Sequence, residues 1–252
     1  MGSPKYLIVN ADDFGQSQGV NQGVIQAHEH GIVTSASLMV RWAAAEAAAE
    51  YCRSRSNLSA GLHFDFGEWE FRDGAWAPWY EVAPSHDEKV VREEAYRQLE
   101  RFRELLHNDP THIDSHQHVH LREPIRTVLQ EIASHLGAPL RHYSPIRYCG
   151  SFYGQTTDGA PRHDAIRAQA LVGIIQNLET GCTEICCHPA RSADLKTMYG
   201  PEREMELLAL CDPKVRATIA VCGIELRSFG EFNVEGLTAE RTPGATAIVG
   251  EA

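Results

Sequence analysis

Carboxylates and imidazoles stand at the ends of predicted strands in this sequence. Asp12 and Asp13 follow the apolar run at residues 6–9, which is typical of a short buried strand. Two adjacent carboxylates repel each other unless a cation lies between them or one carboxyl keeps its proton, and either arrangement suits catalysis. The structural alternative for this pair alone is a turn that happens to contain two aspartates.

Histidines end two further predicted strands, at residues 58–65 and 111–120. Imidazole nitrogen and carboxylate oxygen are ligands for divalent ions such as Zn²⁺, Co²⁺, Mn²⁺ or Mg²⁺. One aspartate and two histidines would leave coordination positions open for water and substrate, so the pattern predicts a hydrolytic metal site. The candidate ligands and catalytic groups are Asp12, Asp13, His63, Asp114, His116 and His188.

The histidine cluster at residues 112–120 leaves one ligand position open. His116 and His120 are four residues apart and would share a face if the chain becomes helical at Ser115, so His120 could join or replace His116 as a ligand. His118 is predicted to be a packing or outer contact. His112 alternates with its neighbour on the strand and is predicted to be structural.

Composition limits the class of protein. The chain has 252 residues, 43% of them hydrophobic, and a net charge of −11 without a basic run, which favours one α/β domain and argues against nucleic-acid binding. No apolar run approaches the roughly 20 residues that span a bilayer. Seven cysteines without framework spacing favour a reduced, cytoplasmic protein. Residues 182–188 carry three of them before His188, but they continue an apolar strand, so a zinc site there is not favoured.

Predicted strands and helices alternate along the chain, which favours a parallel sheet covered by helices. About seven such units favour a single-domain (β/α) TIM-like barrel, closed or nearly closed, over residues 1–234. Chemistry in such barrels sits at the carboxyl ends of strands, where the candidate residues fall. A fifth strand is predicted to begin at Leu140, and residues 235–252 are predicted to form a loose tail.

Two aromatic stretches lack clear periodicity. Residues 65–86 and 142–161 are predicted to be long loops that act as lids or binding loops, since aromatic faces are what sugar rings stack against. Surface loops that pack only on themselves are the alternative.

Several short motifs together resemble the YdjC-like carbohydrate deacetylases, which include enzymes acting on chitin-derived oligosaccharides. The motifs occupy residues 10–15, 32–35, 61–64, 111–120, 151–154 and 187–190. The resemblance extends from about residue 5 to about residue 230 but does not include the aromatic insert after His63 or the tail beyond residue 235. It implies a divergent (β/α) barrel with one divalent ion and hydrolysis of an acetamido group to acetate and a free amino sugar.

The resemblance also implies roles for individual residues. Asp13, His63 and His116 would hold the ion, which favours His116 over His120. Asp12 would be the general base toward the metal-activated water, and His188 would protonate the leaving amine. Asp114 would orient a ligand histidine through its other ring nitrogen. The candidates for substrate contact are Trp76, Trp79 and Tyr153, by stacking on the sugar, and Arg191, by a polar contact.

Two other functions are compatible with these residues. A metal-dependent phosphoester hydrolase could use the same ligands, but no cluster of Lys and Arg accompanies the strand ends in the sequence. A non-catalytic sugar-binding protein on the same barrel would not need both Asp12 and Asp13. The expected partner is a small carbohydrate, and a homodimer is the default oligomeric state.

Overall fold

A curled sheet of parallel strands forms the centre of the molecule, and helices cover it. The computed structural model describes residues 3–191 and 194–232. The elements in chain order are β1 (Lys5–Phe14), α1 (Gln18–Glu29), β2 (Ser35–Leu38), α2 (Ala45–Ser54), β3 (Ser59–Phe64), β4 (Gly67–Arg72), β5 (Ala75–Glu81), α3 (Glu88–Leu106), β6 (Ile113–Ser115), α4 (Ile125–Leu136), β7 (Arg147–Cys149), α5 (Ala168–Gln176), β8 (Gly181–Cys187), α6 (Pro201–Leu210), α7 (Pro213–Val221) and β9 (Ile224–Leu226).

β1 is the central strand of the sheet. It pairs with β8 along one side and with β9 and then β2 along the other, and the strand order is β6-β3-β2-β1-β8-β7. Every pairing in this sheet is parallel. Within the described residues no strand pairing joins β6 to β7, so the sheet is a half-barrel with an open edge. The α/β class and the mostly parallel strands are thus confirmed, whereas closure into a full barrel is not observed.

Local sequence signals explain where the helices begin and end. The Ser17 side chain accepts a hydrogen bond from the backbone N–H of Val20 at the start of α1, and Asp87 caps α3 in the same way. α4 ends at Gly137, whose φ of 63° is the left-handed conformation that glycine adopts without strain. Alanines on the buried face of α2 allow this helix to pack closely on the sheet.

The prediction of a loop over residues 65–86 was wrong. β4 and β5 form an antiparallel hairpin there, and Arg72 pairs with Ala75 across a two-residue turn. Asp73 and Gly74 both have positive φ angles, 53° and 81°, as a tight hairpin turn requires. In β5 the consecutive residues Pro78, Trp79 and Tyr80 interrupt the period of two on which a strand prediction depends, and the pairing with β4 shifts register there.

The prediction of a strand at Leu140 was only partly correct. Leu140 forms a single parallel bridge with Ile113, and the strand β7 lies further along, inside the predicted loop at 142–161.

The predicted tail at 235–252 lies outside the described residues, as does the end of the predicted domain. Within the described ranges, no helix combines the length and the apolar character needed to cross a membrane.

Candidate active site and metal-ligand cluster

The carboxyl ends of β1, β3, β6 and β8 bring the predicted site residues together. Asp12, Asp13 and His63 lie within the last residues of their strands, and His116 follows β6 directly. These side chains are almost completely buried, with 7% of His116 and 2% or less of the other three exposed. Charged groups at such depth need partners, and each of them has at least one.

A bulge in β1 directs the two adjacent aspartates to different partners. The pairing of β1 with β2 shifts register between Ala11 and Phe14, and Asp13 has a φ of 65°. A bulge inserts an extra residue and changes the direction of the side chains around it. Asp12 and Asp13 are therefore both buried at the same strand end, although they contact different groups.

Asp13 lies between two histidines and an arginine. Its Oδ1 is 3.0 Å from Nδ1 of His116 and 3.2 Å from Nε2 of His63, and Nη2 of Arg203 donates to Oδ2 at 2.6 Å. One ligand atom from each of Asp13, His63 and His116 lies within 4.8 Å of the other two. The predicted ligand set therefore converges on one point, and His116 rather than His120 occupies it.

The electrostatics of this cluster follow from burial and close opposite charges. Burial raises the pKa of Asp13, but Arg203 and His116 outweigh this and hold that pKa well below its usual value. Burial lowers the pKa of His63, yet Asp114 and Asp13 raise it to about 9. The pKa of His116 is likewise raised, against burial, by Asp13 and Glu68. Glu68 comes from the hairpin, with its Oε2 3.7 Å from Nε2 of His116.

Asp114 lies behind His63 and fixes its orientation. Its Oδ1 is 2.7 Å from Nδ1 of His63, and its Oδ2 accepts a hydrogen bond from the Ser37 hydroxyl at 2.7 Å. Arg141 and His63 lower the pKa of Asp114 despite the opposing effect of burial. A carboxylate on the far ring nitrogen is the usual support of a metal-binding histidine. His112 lies within the same network, where its Nε2 is 2.9 Å from Oδ1 of Asn10.

Asp12 belongs to a different set of contacts. Nη1 and Nη2 of Arg141 donate to its two carboxylate oxygens at 2.7 and 2.8 Å, and the same guanidinium also contacts Asp114 and Glu184. Nε2 of His188 is 3.9 Å from Oδ2 of Asp12. On its other side, Nδ1 of His188 is 3.6 Å from Oε1 of Glu206. Asp12 and His188 therefore face each other across a short gap.

The structure shows charged groups that sequence reasoning missed: Arg141, Arg203, Glu68, Glu184 and Glu206. The sequence shows no cluster of Lys and Arg beside the strand ends, but two buried arginines from distant segments, Arg141 and Arg203, lie there. Both are paired with carboxylates. Glu184 could have been noticed as one acid inside an apolar strand, and the spacing of Arg203 and Glu206 on α6 places both on one helix face.

The remaining histidines of the cluster point elsewhere. Gln117 and His118 have φ angles of 49° and 52°, so the turn at His116–Leu121 is not a regular helix. His116 and His120 consequently do not share a helical face. Nδ1 of His120 is 2.6 Å from Oγ of Ser115, and one of its ring nitrogens groups with those of His118 and His142.

The candidates for substrate contact differ in their position. The ring of Tyr153 is 36% exposed, stacks on Tyr199 at 4.7 Å between centroids and lies 5.7 Å from the ring of His188. Trp76 and Trp79 are about half exposed on β5. Arg191 contacts α1 instead, where its Nη2 donates to Oε1 of Gln26 at 3.0 Å.

The residues around Asp13 fit a divalent ion. A carboxylate and two imidazoles are a donor set for such ions, and Asp114 supplies the outer support of His63. Nδ1 of His116 and Nε2 of His63 both face Oδ1 of Asp13, at 3.0 and 3.2 Å, so the three donor atoms lie together and are buried.

Solved structures share this fold. A protein of Enterococcus faecalis V583 named for cellobiose-phosphate cleavage aligns with a TM-score of 0.69 at 26% identity, over 90% of this chain and 98% of that one. A family 4 carbohydrate esterase from Streptomyces lividans aligns with a TM-score of 0.55 at 11% identity, over 89% of this chain and 93% of that one. The second likeness concerns the fold alone.

Curated relatives match over nearly their whole length. A carbohydrate deacetylase of Geobacillus stearothermophilus is 32% identical, over 91% of this chain and 98% of that protein. A chitooligosaccharide deacetylase of Serratia marcescens is 33% identical, over 90% of this chain and 99% of that protein. The family model described as YdjC-like protein matches residues 6–221. Both findings agree with the motifs that converge at the strand ends, and the chain belongs to the YdjC-like family.

Proposed function

We propose that this protein is a metal-dependent carbohydrate N-deacetylase that releases acetate from an amino sugar or a short chitooligosaccharide. The observation that carries the proposal is the division of labour between adjacent aspartates. Asp13 lies among imidazoles, and Asp12 faces His188 while Arg141 holds it. The names of the relatives from Geobacillus stearothermophilus and Serratia marcescens support the reaction and the class of substrate.

Asp13, His63 and His116 would hold the ion. A bound divalent ion polarises the carbonyl under attack and lowers the pKa of water. Zn²⁺ and Mg²⁺ are the first candidates, and Co²⁺ and Mn²⁺ also accept this donor set. Arg203 keeps Asp13 ionised and in place, because its guanidinium bonds to the second carboxylate oxygen.

Asp12 acts as the general base in this proposal. The attacking water adds to the carbonyl carbon of the acetamido group and gives a proton to the Asp12 carboxylate. Oδ1 of Asp12 accepts hydrogen bonds from Arg141 and from the side-chain amide of Asn10, both at 2.8 Å. Oδ2 accepts one from Arg141 at 2.7 Å and keeps a lone pair to accept that proton. These hydrogen bonds fix the orientation of the carboxylate before the reaction, so little is lost in positioning it.

His188 acts as the general acid. When the tetrahedral intermediate collapses, the carbon–nitrogen bond breaks and His188 donates a proton to the leaving nitrogen, which gives acetate and a free amine. Glu206 lies 3.6 Å from Nδ1 of His188 and orients the ring so that Nε2 is directed toward Asp12. Tyr199 donates to the same glutamate and keeps it in place.

The aromatic side chains supply candidate surfaces for the sugar. Tyr153 lies beside His188, and the hairpin that contains Trp76 and Trp79 also carries Glu68 to within 3.7 Å of His116. Aromatic walls around a few polar groups are the usual composition of a small-molecule site.

Phosphoester hydrolysis is less well supported. Phosphate binding needs cationic side chains that are free to meet it, yet Arg141 contacts three carboxylates and Arg203 contacts Asp13.

The test is acetate release from a panel of N-acetylated sugars and chitooligosaccharides by the metal-loaded protein. We expect turnover that chelation abolishes and that Asp12→Ala reduces by about 10²- to 10⁴-fold, which is the range for general base catalysis. Asp164→Ala, at an exposed surface position, is the matched control and should leave the rate unchanged. Equal rates for native protein and Asp12→Ala would refute the assigned base, and a panel without acetate release would refute the function.

A further inference from the structure

We propose a second metal site on this chain, formed by His118, His120 and His142, for a transition-metal ion such as Zn²⁺. One ring nitrogen from each of these histidines lies within 4.8 Å of one from each of the others. The ring centroids are 5.5, 5.7 and 5.9 Å apart, close to an equilateral triangle. Three imidazoles around one zinc ion, each at about 2.0–2.1 Å, form such a triangle. The proposal goes beyond the deacetylase reaction and does not depend on it.

The two inner histidines each have one occupied and one free ring nitrogen. Nδ1 of His120 bonds to Oγ of Ser115, and Nε2 of His118 bonds to the hydroxyl of Tyr148 at 3.0 Å. The opposite nitrogens, Nε2 of His120 and Nδ1 of His118, are buried without a partner in the part of the chain that the structure describes. A metal-binding histidine typically bonds through its far nitrogen to an outer group, and here both do.

The backbone directs these histidines away from the Asp13 cluster. The left-handed conformations of Gln117 and His118 turn the chain after His116, so that His116 contacts Asp13 while His118 and His120 face His142. His142 also has a positive φ, 67°. Such conformations are uncommon for residues other than glycine, and each costs of order 1 kcal/mol unless a local contact stabilises it. Two of the three proposed ligands, His118 and His142, therefore have left-handed backbone conformations.

The charge around the trio permits a cation. Arg141 is the residue before His142, and its guanidinium lies 5.2 Å from the Tyr148 ring centroid. That positive charge is offset by contacts with Asp12, Asp114 and Glu184. The exposed side chain of His142 leaves an approach for the ion from solvent. A neutral imidazole set of this kind favours Zn²⁺ or Cu²⁺ over Mg²⁺ or Ca²⁺.

The ion would connect two segments at the open edge of the sheet. His118 and His120 follow β6, and His142 follows the single bridge at Leu140. It would also fix Tyr148, which contacts Sγ of Cys186 at 2.9 Å on β8. The expected consequence is a rise in melting temperature on zinc binding.

Calorimetric titration of Zn²⁺ into protein that a chelator has stripped of metal tests the proposal. We expect two equivalents of Zn²⁺ for the native protein, one for His142→Asn and one for Asp13→Asn. The control His135→Asn, at an exposed position on α4, should still bind two. His142→Asp keeps a ligand atom and should bind two equivalents, the second more weakly. Two equivalents for His142→Asn, or a single equivalent in the native protein that His142→Asn retains, would overturn the proposal.

A second measurement separates a metal site from a surface histidine that binds zinc loosely. Tyr148→Phe removes the hydroxyl that contacts His118 and Cys186 but none of the three imidazoles, so it should weaken the second equivalent by about 10- to 100-fold without changing the first. Unchanged affinity for both equivalents would contradict the assignment of Tyr148 and His118. Acetate release is assayed in parallel: two bound ions without acetate release would refute the proposed function and leave this site intact.

Discussion

The two halves of the site, around Asp12 and around Asp13, contain the same kind of carboxylate and differ in their partners. Asp13 contacts two imidazoles and Arg203, whereas Asp12 contacts the guanidinium of Arg141 and faces His188. Imidazoles can lose their protons to make way for a metal ion, and a guanidinium cannot. The Asp13 half is therefore suited to exchange protons for a cation, and the Asp12 half keeps a fixed charge in place.

The two halves also differ in the source of their positive charge. Around Asp12, the guanidinium of Arg141 contacts three carboxylates, so a fixed charge of the protein supplies the positive charge in this half. Around Asp13, nearby carboxylates raise the pKa values of His63 and His116 against the effect of burial, so either imidazole protons or a divalent ion can supply positive charge there. The two halves should therefore respond differently to metal, to pH and to loss of an aromatic side chain.

The largest effect is expected from removal of the buried arginines. Arg141→Met leaves Asp12, Asp114 and Glu184 without their shared cation and should lower the free energy of unfolding by about 3–5 kcal/mol. Arg203→Met leaves Asp13 without its guanidinium partner and should also lower the free energy of unfolding of the metal-free protein. Saturating Zn²⁺ should relieve most of the Arg203→Met penalty, because the ion brings positive charge to Asp13, but little of the Arg141→Met penalty. Denaturant unfolding with and without zinc measures both.

Arg101→Met is the matched control for these variants. Arg101 pairs with Glu46 and Glu104 on the surface, where ion pairs contribute about 0–1 kcal/mol. If zinc relieved both penalties equally, the assignment of the ion to the Asp13 half would be wrong.

A smaller effect is expected from the protonation of Glu184. Burial raises the pKa of Glu184 to about 7, against the opposing effect of Arg141, from an ordinary value of 4.5. Because the folded state holds this proton more tightly than the unfolded state, the contribution of Glu184 to stability is greatest below pH 4.5 and falls as the pH rises toward 7. The difference between these pKa values corresponds to about 3 kcal/mol.

Glu184→Gln removes that titration. The free energy of unfolding of the variant, relative to the native protein, should therefore increase by about 3 kcal/mol between pH 4.5 and pH 7. Denaturant unfolding across this range provides the comparison, with exposed Glu100→Gln as the control. Parallel stability profiles for Glu184→Gln and native protein would show that Glu184 has the same pKa in both states.

Much of this site was predictable because parallel strands end at one edge of a sheet. Asp12, Asp13, His63 and Asp114 could be placed there from short apolar runs alone. The charged partners of these residues could not be predicted from the sequence. Arg141 directly follows Leu140 and Arg203 lies among glutamates, and only tertiary packing brings their guanidinium groups to the aspartates. The register shift between Ala11 and Phe14, which contains the two aspartates, also has no signal in the sequence.

The histidine cluster shows a similar limit. A spacing of four between His116 and His120 predicts a shared face only on a helix, and the left-handed residues Gln117 and His118 break that geometry. The hairpin was missed because Pro78, Trp79 and Tyr80 are consecutive in β5 and interrupt the alternation of polar and apolar residues. Its Asp73-Gly74 turn was the available signal.

The smallest effect is expected from the aromatic residues that flank the two halves. Trp79 lies on the hairpin beside the Asp13 half, and Tyr153 lies next to His188 in the Asp12 half. If one sugar spans both halves, Trp79→Ala and Tyr153→Ala should each raise KM by about fivefold, equivalent to about 1 kcal/mol of stacking energy. The kcat should change little for Trp79→Ala, because Trp79 contacts neither aspartate.

Steady-state kinetics on a chitooligosaccharide substrate test this, with exposed Tyr96→Ala on α3 as the control. A KM effect from only one of the two variants would place the sugar over that half alone, and a loss of kcat without a change in KM would assign the aromatic ring to catalysis rather than to binding.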